Sequence, residues 1–242
     1  MNKKYLQKQI SISAFFPCYN DAGSIAIVVQ DAYETLKKIT YDFEIIVVDD
    51  ASRDESVKIL KRIKGNIPEL KLVLHKSNRG YGGALKSGFK NATKQLIFYT
   101  DGDGQYNVRE IKMLIGKMTE SVDVVQGFKI MRQDPYYRLL IGNLYHYFSK
   151  ILFGLKIRDV DCDFRLIRKR ALDSISLKYD SGVICVELVK KLQDKGFKFA
   201  EVGVHHYPRA YGHSQFFNYK RIFKTLIELL QLWINLILLR TG

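Results

Sequence analysis

Cysteine is scarce and scattered. Cys18, Cys162 and Cys185 are the three, and no two stand at a zinc-ligand spacing or suggest a disulfide framework. A reducing compartment is therefore expected. No uninterrupted apolar run reaches the ~20 residues that span a bilayer. The opening Met1-Asn2-Lys3-Lys4-Tyr5 lacks a long apolar stretch, so no signal peptide is expected. There is no Pro/Gly/Ser-rich linker and no internal repeat. Acidic residues are in deficit: 25 against 39 Lys and Arg, a net charge of +14. That excess suits nucleic acid, an anionic membrane surface or phosphorylated ligands. No RRM, KH or helix-turn-helix signature is present, which counts against nucleic acid. What is there is ample for one large α/β domain: 242 residues, 47% of them hydrophobic.

Apolar runs at residues 10–16, 43–48, 70–74 and 96–99 read as strands. Helical stretches separate them. Ile25, Val28, Val29, Ala32 and Leu36 mark one helix face, and further helices are expected at 54–64 and 84–92. This repeated strand, loop, helix pattern argues a doubly wound sheet, whose ligands bind in loops at the strands' carboxyl ends. Further on, helices are expected at 108–118, 135–153 and 185–192, and strands at 122–128 and 197–204, with residues 161–167 returning to the sheet.

The loops carry the chemistry. In Tyr99-Thr100-Asp101-Gly102-Asp103-Gly104-Gln105, two carboxylates follow a buried strand one residue apart. In extended backbone they share a face and can address one hard cation, Mg²⁺ or Mn²⁺, with places left for phosphate oxygens. A polar turn is the plainer reading. Asp49 and Asp50 end the second strand, where an aspartate can accept from a base N–H or a ribose hydroxyl. Asp50 or Ser52 can instead cap the next helix. Gly80, Gly82 and Gly83 fit neither a dinucleotide fingerprint nor a P-loop. They read either as a helix start facing an anion or as a tight turn with close backbone contact. His205, His206 and His213 have no cysteine near, so zinc is not expected. Arg209 and His213, beside Tyr207 and Tyr211, form a basic loop suited to phosphate, or a solvated one.

This ordered set resembles the inverting GT-A glycosyltransferases of family 2, in the branch of dolichyl-phosphate mannose synthase and the bacterial polyprenyl-phosphate glycosyltransferases. The likeness covers about residues 9–215. Pro17-Cys18-Tyr19-Asn20-Asp21 matches a Pro-x-Tyr-Asn-Glu opening, with Asp21 in place of Glu. Val47-Val48-Asp49-Asp50-Ala51-Ser52 matches the base-binding strand end, and Asn78-Arg79-Gly80 an Asn-x-Gly loop. Asp101-Gly102-Asp103-Gly104-Gln105 matches the metal motif. Asp161-Cys162-Asp163-Phe164-Arg165 corresponds to an Asp-x-x-Gly-Phe-Arg element, with Asp163 where glycine is usual.

The resemblance implies a mostly parallel central sheet flanked by helices, a UDP- or GDP-linked sugar donor and Mg²⁺ or Mn²⁺. It places Pro17, Tyr19, Asn20, Asp21, Asp49, Asp50, Asn78, Gly80, Asp101 and Gly102 at the donor. Asp101, Asp103 and Gln105 surround the metal. The acceptor it implies is a polyprenyl phosphate held by Arg138, Arg209 and His213, with Asp163, Arg165, Glu187 and Ser214 on the acceptor side. For Glu187 a simple surface carboxylate is the plainer reading. A saccharide or protein hydroxyl is the alternative acceptor, and a non-catalytic nucleotide- or RNA-binding protein the more distant one.

Residues 216–239 form an apolar segment with Lys220, Arg221 and Lys224 near its start and a single Trp233. This suits an amphipathic helix in a membrane interface; a core or dimer-forming helix is the other reading. The expected division is a catalytic domain, 1–215, and a membrane-associated helix, 216–242. The expected location is the cytoplasmic face of a membrane, with the cytoplasm as alternative.

Overall fold

The computed structural model describes residues 10–130, 136–211 and 219–239, without the side chains of 136–143, 145 and 219–222. A seven-stranded mixed sheet runs through it. Its strands are β1 (Ser11–Cys18), β2 (Asp42–Asp49), β3 (Leu70–Leu74), β4 (Leu96–Tyr99), β5 (Val124–Ile130), β6 (Arg165–Arg168) and β7 (Phe199–His205), ordered β3-β2-β1-β4-β6-β5-β7. β6 alone runs antiparallel, between β4 and β5. Residues 161–167 therefore return to the sheet only from Arg165 onward. This reversal brings the residues just before β6 to the same edge as the carboxyl ends of β1, β2, β4 and β5.

β1, β2 and β4 are buried along nearly their whole length, as their largely apolar runs require; the buried Ser13 of β1 donates to Glu44 of β2 at 2.5 Å. Helices cover both faces: α1 (Ile25–Leu36), α2 (Ser56–Lys64), α3 (Gly80–Asn91), α4 (Ile111–Lys117), α5 (Tyr136–Phe153), α6 (Lys169–Asp173), α7 (Val183–Asp194) and α8 (Tyr219–Trp233). Alternate residues of one strand feed different cores. Phe16 and Ala14 pack with α1, whereas Phe15 joins Ala84, Leu85 and Tyr99. Phe15 and Tyr99 stack with ring centroids 5.3 Å apart. Truncating such a buried aromatic costs about 3–5 kcal/mol.

Local expectations shift in three places. α2 starts at Ser56, whose amide donates to Asp54 Oδ1 at 3.0 Å; neither Asp50 nor Ser52 caps it. The stretch expected as helix over 108–118 is a 3-10 turn, Val108–Glu110, followed by α4. α3 begins at Gly80, so the glycines expected in a loop form its first turn.

α8 and the following π-helical turn, Ile234–Leu238, pack Leu229, Leu232 and Leu236 against Val183, Val186 and Val189 of α7, in a cluster shared with Phe153 at the end of α5. The opposite side of α8 exposes Phe223, Leu226, Ile227 and Leu230, and α5 exposes Leu144, Tyr147, Phe148 and Ile151. Among the described residues no helix is long and apolar enough to cross a membrane.

Candidate active site

The loops at the sheet's carboxyl edge are stitched to one another. Asn20 takes a left-handed backbone, φ 58°, as does Ala51, φ 62°; both are costly for non-glycine residues and persist only where the surroundings hold them. The surroundings do so. Asn20 N donates to Ser52 Oγ at 2.9 Å, and Asn20 Oδ1 accepts from Arg53 N at 2.8 Å. Asp21 N donates to Ser56 Oγ at 3.1 Å, and Asp21 Oδ2 accepts from Tyr19 N at 3.0 Å. Gly102 N donates to the Pro17 carbonyl at 3.1 Å, which ties the β4 loop to the β1 loop.

The adjacent aspartates after β2 divide their work. Asp49 is buried; its Oδ2 accepts from Ser52 N at 3.1 Å and its Oδ1 has no hydrogen-bond partner in the protein. Buried carboxylate oxygens are rarely left so, and this one is ready to accept from a ligand. Both oxygens of Asp50 are occupied. Oδ1 meets Arg79 N and His75 Nδ1, each at 2.7 Å, and Oδ2 accepts from Gly80 N at 2.9 Å. Expected at the donor, Asp50 is instead turned onto the start of α3. Asn78 Nδ2 donates to the Asp50 carbonyl at 3.2 Å in the same contact. The α3 glycines have a packing reason. A Cβ on Gly82 would stand 2.4 Å from the Tyr179 carbonyl, and one on Gly80 2.6 Å from that of Asp180. The glycines therefore sit at a helix start and in close backbone contact at once.

Asp101 and Asp103 follow β4. Tyr81 OH donates to Asp101 Oδ1 at 2.9 Å. Burial pushes the Asp101 carboxyl well above the usual carboxylate range, and Asp163 and Asp103 add to it. Asp103 Oδ1 accepts from Gln105 N at 3.0 Å, and its Oδ2 pairs with Arg209 Nη2. Arg209 Nη1 also lies 3.8 Å from Asp21 Oδ1. Burial, with Asp103 nearby, raises the Asp21 carboxyl to about 6. Gln105 Nε2 donates to the Tyr207 carbonyl at 3.0 Å. A divalent cation fits these hard oxygen ligands and would relieve the mutual repulsion of the carboxylates.

Across from β4, Asp163 Oδ1 accepts from Arg165 Nη1 at 3.1 Å and from the Cys185 thiol at 3.2 Å. Arg165 is fully buried and further held by Gln126, Tyr99 OH and the Val160 carbonyl. It organises the sheet under the site rather than facing an acceptor. Glu187 is also fully buried, so it is no surface carboxylate. It accepts from the amides of Lys178 and Tyr179 and pairs with Lys191 at 2.9 Å, which holds the loop before α7. Arg138 lies on α5 with its side chain outside the description; His213 and Ser214 lie outside the described residues.

The sequence reading missed a neighbouring group. His146 of α5, Asp159 and Asp161 bring three potential ligand atoms within 4.8 Å of one another. Burial raises the Asp161 carboxyl to about 7, with Lys129 opposing and Asp159 and Asp163 adding. The alternation Asp159, Asp161, Asp163 was its signal in the sequence. His146 gave none, because it arrives from a separate helix.

Residues 13–176 match the family described as Glycosyl transferase family 2. The chain belongs to that family. It is a glycosyltransferase of the GT-A fold, and its carboxylates offer a candidate site for a divalent cation. The undecaprenyl-phosphate 4-deoxy-4-formamido-L-arabinose transferase of Yersinia enterocolitica is 27% identical over 233 residues, covering 96% of this chain and 68% of that protein. The putative glycosyltransferase CsbB of Bacillus subtilis is 26% identical over 175 residues, 72% of this chain and 53% of that one. The fold is also similar to glucosyl-3-phosphoglycerate synthase of Mycobacterium tuberculosis in complex with Mn²⁺, UDP and glucosyl-3-phosphoglycerate. There the TM-score is 0.70 at 16% identity, covering 94% of this chain and 80% of that one.

Proposed function

We propose that this glycosyltransferase moves a single sugar from a UDP- or GDP-sugar to a polyprenyl phosphate at a membrane surface, with inversion at the anomeric carbon. The observation that carries the acceptor is the pair of apolar rows on α5 and α8. Both helices are anchored in one cluster with α7, and both leave a row of large apolar side chains exposed. A polyisoprenyl tail stays in lipid while its phosphate meets Arg209. Names of relatives that act on undecaprenyl phosphate agree with this. The proposed division remains a catalytic domain, 1–215, and a membrane-associated helix, 216–242.

In this reading Asp49 accepts from the base or ribose, and Asp101 and Asp103 hold the divalent cation. When bound, that cation neutralises charge growing on the departing diphosphate. Asn20, Asp50 and Asn78 keep the loops in register around the donor. Arg209, beside Asp103 and Asp21, stands where two anionic groups meet and lowers their repulsion. A phosphate acceptor is already ionised near neutral pH, so no strong base is needed.

A second reading has its own observation. Asp161, raised to about 7, suits a base that deprotonates a hydroxyl acceptor. Similar solved structures hold phosphoglyceric acid, although likeness at that identity speaks for the fold alone. The test is a panel of labelled UDP- and GDP-sugars with Mg²⁺ or Mn²⁺. Undecaprenyl phosphate, 3-phosphoglycerate and simple saccharides are offered separately. A lipid-linked product supports the proposal; label on a hydroxyl acceptor alone overturns it in favour of the second reading.

A further inference from the structure

The chain leaving β7 crosses the front of the donor edge as a strap fastened at three points. At one end, His206 bridges Tyr106, and Tyr207 N donates to the Gln105 carbonyl at 2.8 Å. In the middle, Arg209 pairs with Asp103 and lies 3.8 Å from Asp21. At the far end the Tyr211 ring rests on Gly23; a Cβ there would stand 2.4 Å from Tyr211 Cγ. Only glycine leaves room for that ring so close to the backbone that follows β1.

We infer that Arg209 is a tethered competitor for the donor-site cation, so that the site takes a divalent cation well only together with a nucleoside diphosphate. This rests on the reading of Asp101 and Asp103 as the cation's ligands. Asp103 has both oxygens engaged: Oδ1 by the Gln105 amide, Oδ2 by the guanidinium. A cation arriving alone must draw Oδ2 away from Arg209 and leave the guanidinium, only partly exposed, without its carboxylate partner. A cation arriving with a diphosphate brings anionic oxygens in the geometry a guanidinium binds best. Arg209 then exchanges one anionic partner for another. Cation and nucleotide become positively coupled through this one side chain, and the coupling is reciprocal. The rival account has the opposite sign. A guanidinium that merely orients Asp103 from behind would support the cation, as outer hydrogen-bond partners of metal ligands do.

Electron paramagnetic resonance of free Mn²⁺ separates the two without any turnover. The full chain and Arg209→Gln are titrated with Mn²⁺ alone, then with Mn²⁺ plus UDP or GDP, and thermal melting confirms the fold of each. Without nucleotide, Arg209→Gln should bind Mn²⁺ more tightly than wild type, by about fivefold or more, on the scale of a partly buried ion pair. With nucleotide the advantage should vanish or reverse, because the variant lacks the diphosphate's partner. Tyr211→Ala touches no carboxylate but frees the strap, and should shift Mn²⁺ binding in the same direction by less. Equal or weaker Mn²⁺ binding by Arg209→Gln in the absence of nucleotide overturns the inference and leaves Arg209 as a support. If wild type and variant both ignore Mn²⁺, with and without UDP and GDP, the cation site itself is wrong and the inference falls with it.

Discussion

Asparagine in place of Asp49 keeps the side chain's shape and removes its charge. Asp49 Oδ2 accepts from the Ser52 amide at 3.1 Å, a bond that the asparagine carbonyl reproduces. Oδ1 is buried without a partner, and in asparagine that position becomes an NH₂ group, a donor. A carboxylate accepting from a ligand N–H or hydroxyl contributes roughly 1.5–3 kcal/mol. The Kd for UDP or GDP with Mn²⁺ should therefore rise on the order of 10- to 100-fold. Stability should move the other way, because a carboxylate is costlier to bury than the neutral amide that replaces it. Asp49→Asn should thus melt at the wild-type temperature or above it. Calorimetric titration beside thermal melting reads both quantities. Unchanged affinity for every nucleotide in a folded variant refutes the reasoning and leaves Asp49 to serve Ser52 alone.

Asp103→Ala should remove several kcal/mol of metal-assisted charge neutralisation; near-wild-type turnover in Mg²⁺ or Mn²⁺ would sink the cation assignment. Asp21 is raised to about 6, so between about pH 4 and that value the folded chain holds more protons than the unfolded one and loses stability as pH rises. Asp21→Asn should accordingly raise the melting temperature at neutral pH and leave it almost unchanged near pH 4; the reverse pattern would contradict the burial argument. Glu44 is lowered to about 2: burial opposes this, but bonds from Lys71, Ser13 and Thr93 outweigh it. Its contribution is full above the unfolded value and lost as pH falls towards 2. Glu44→Gln should therefore cost on the order of 2 kcal/mol at neutral pH and little in strong acid, with nucleotide affinity unmoved, as urea titration and calorimetry would show. Leu226→Glu with Leu230→Glu alters only exposed positions of α8 and should reduce flotation with anionic liposomes at unchanged melting temperature; undiminished flotation would remove α8 from the membrane contact.

Features written locally in the chain were legible. The runs of β1, β2 and β4 are buried because they are largely apolar on both sides, and the polar motifs after them lie at one edge because parallel strands end there. What eluded the sequence depends on partners far away in it. Asp49 and Asp50 are neighbours of one residue type, and only the approach of His75, Arg79 and Gly80 separates an open acceptor from a bound one. Arg165 and Glu187 look like surface charges until Tyr99, Gln126 and Lys191 arrive to satisfy them. β6 is too short for its direction to be read, yet its reversal is what sets Asp163 beside Asp101. Gly82 signalled a close backbone contact but not that its partner is the Tyr179 carbonyl, nearly a hundred residues on.

The most direct measurement is the fate of the acceptor's phosphate. After reaction of undecaprenyl phosphate with the accepted nucleotide sugar and Mn²⁺, the lipid product is treated with alkaline phosphatase and its phosphorus resonance recorded. If the lipid phosphate is the nucleophile, the phosphomonoester becomes a glycosyl phosphodiester, resistant to phosphatase and inverted at the anomeric carbon. A phosphate that stays phosphatase-sensitive, with the sugar found only on a hydroxyl acceptor, contradicts the proposed function.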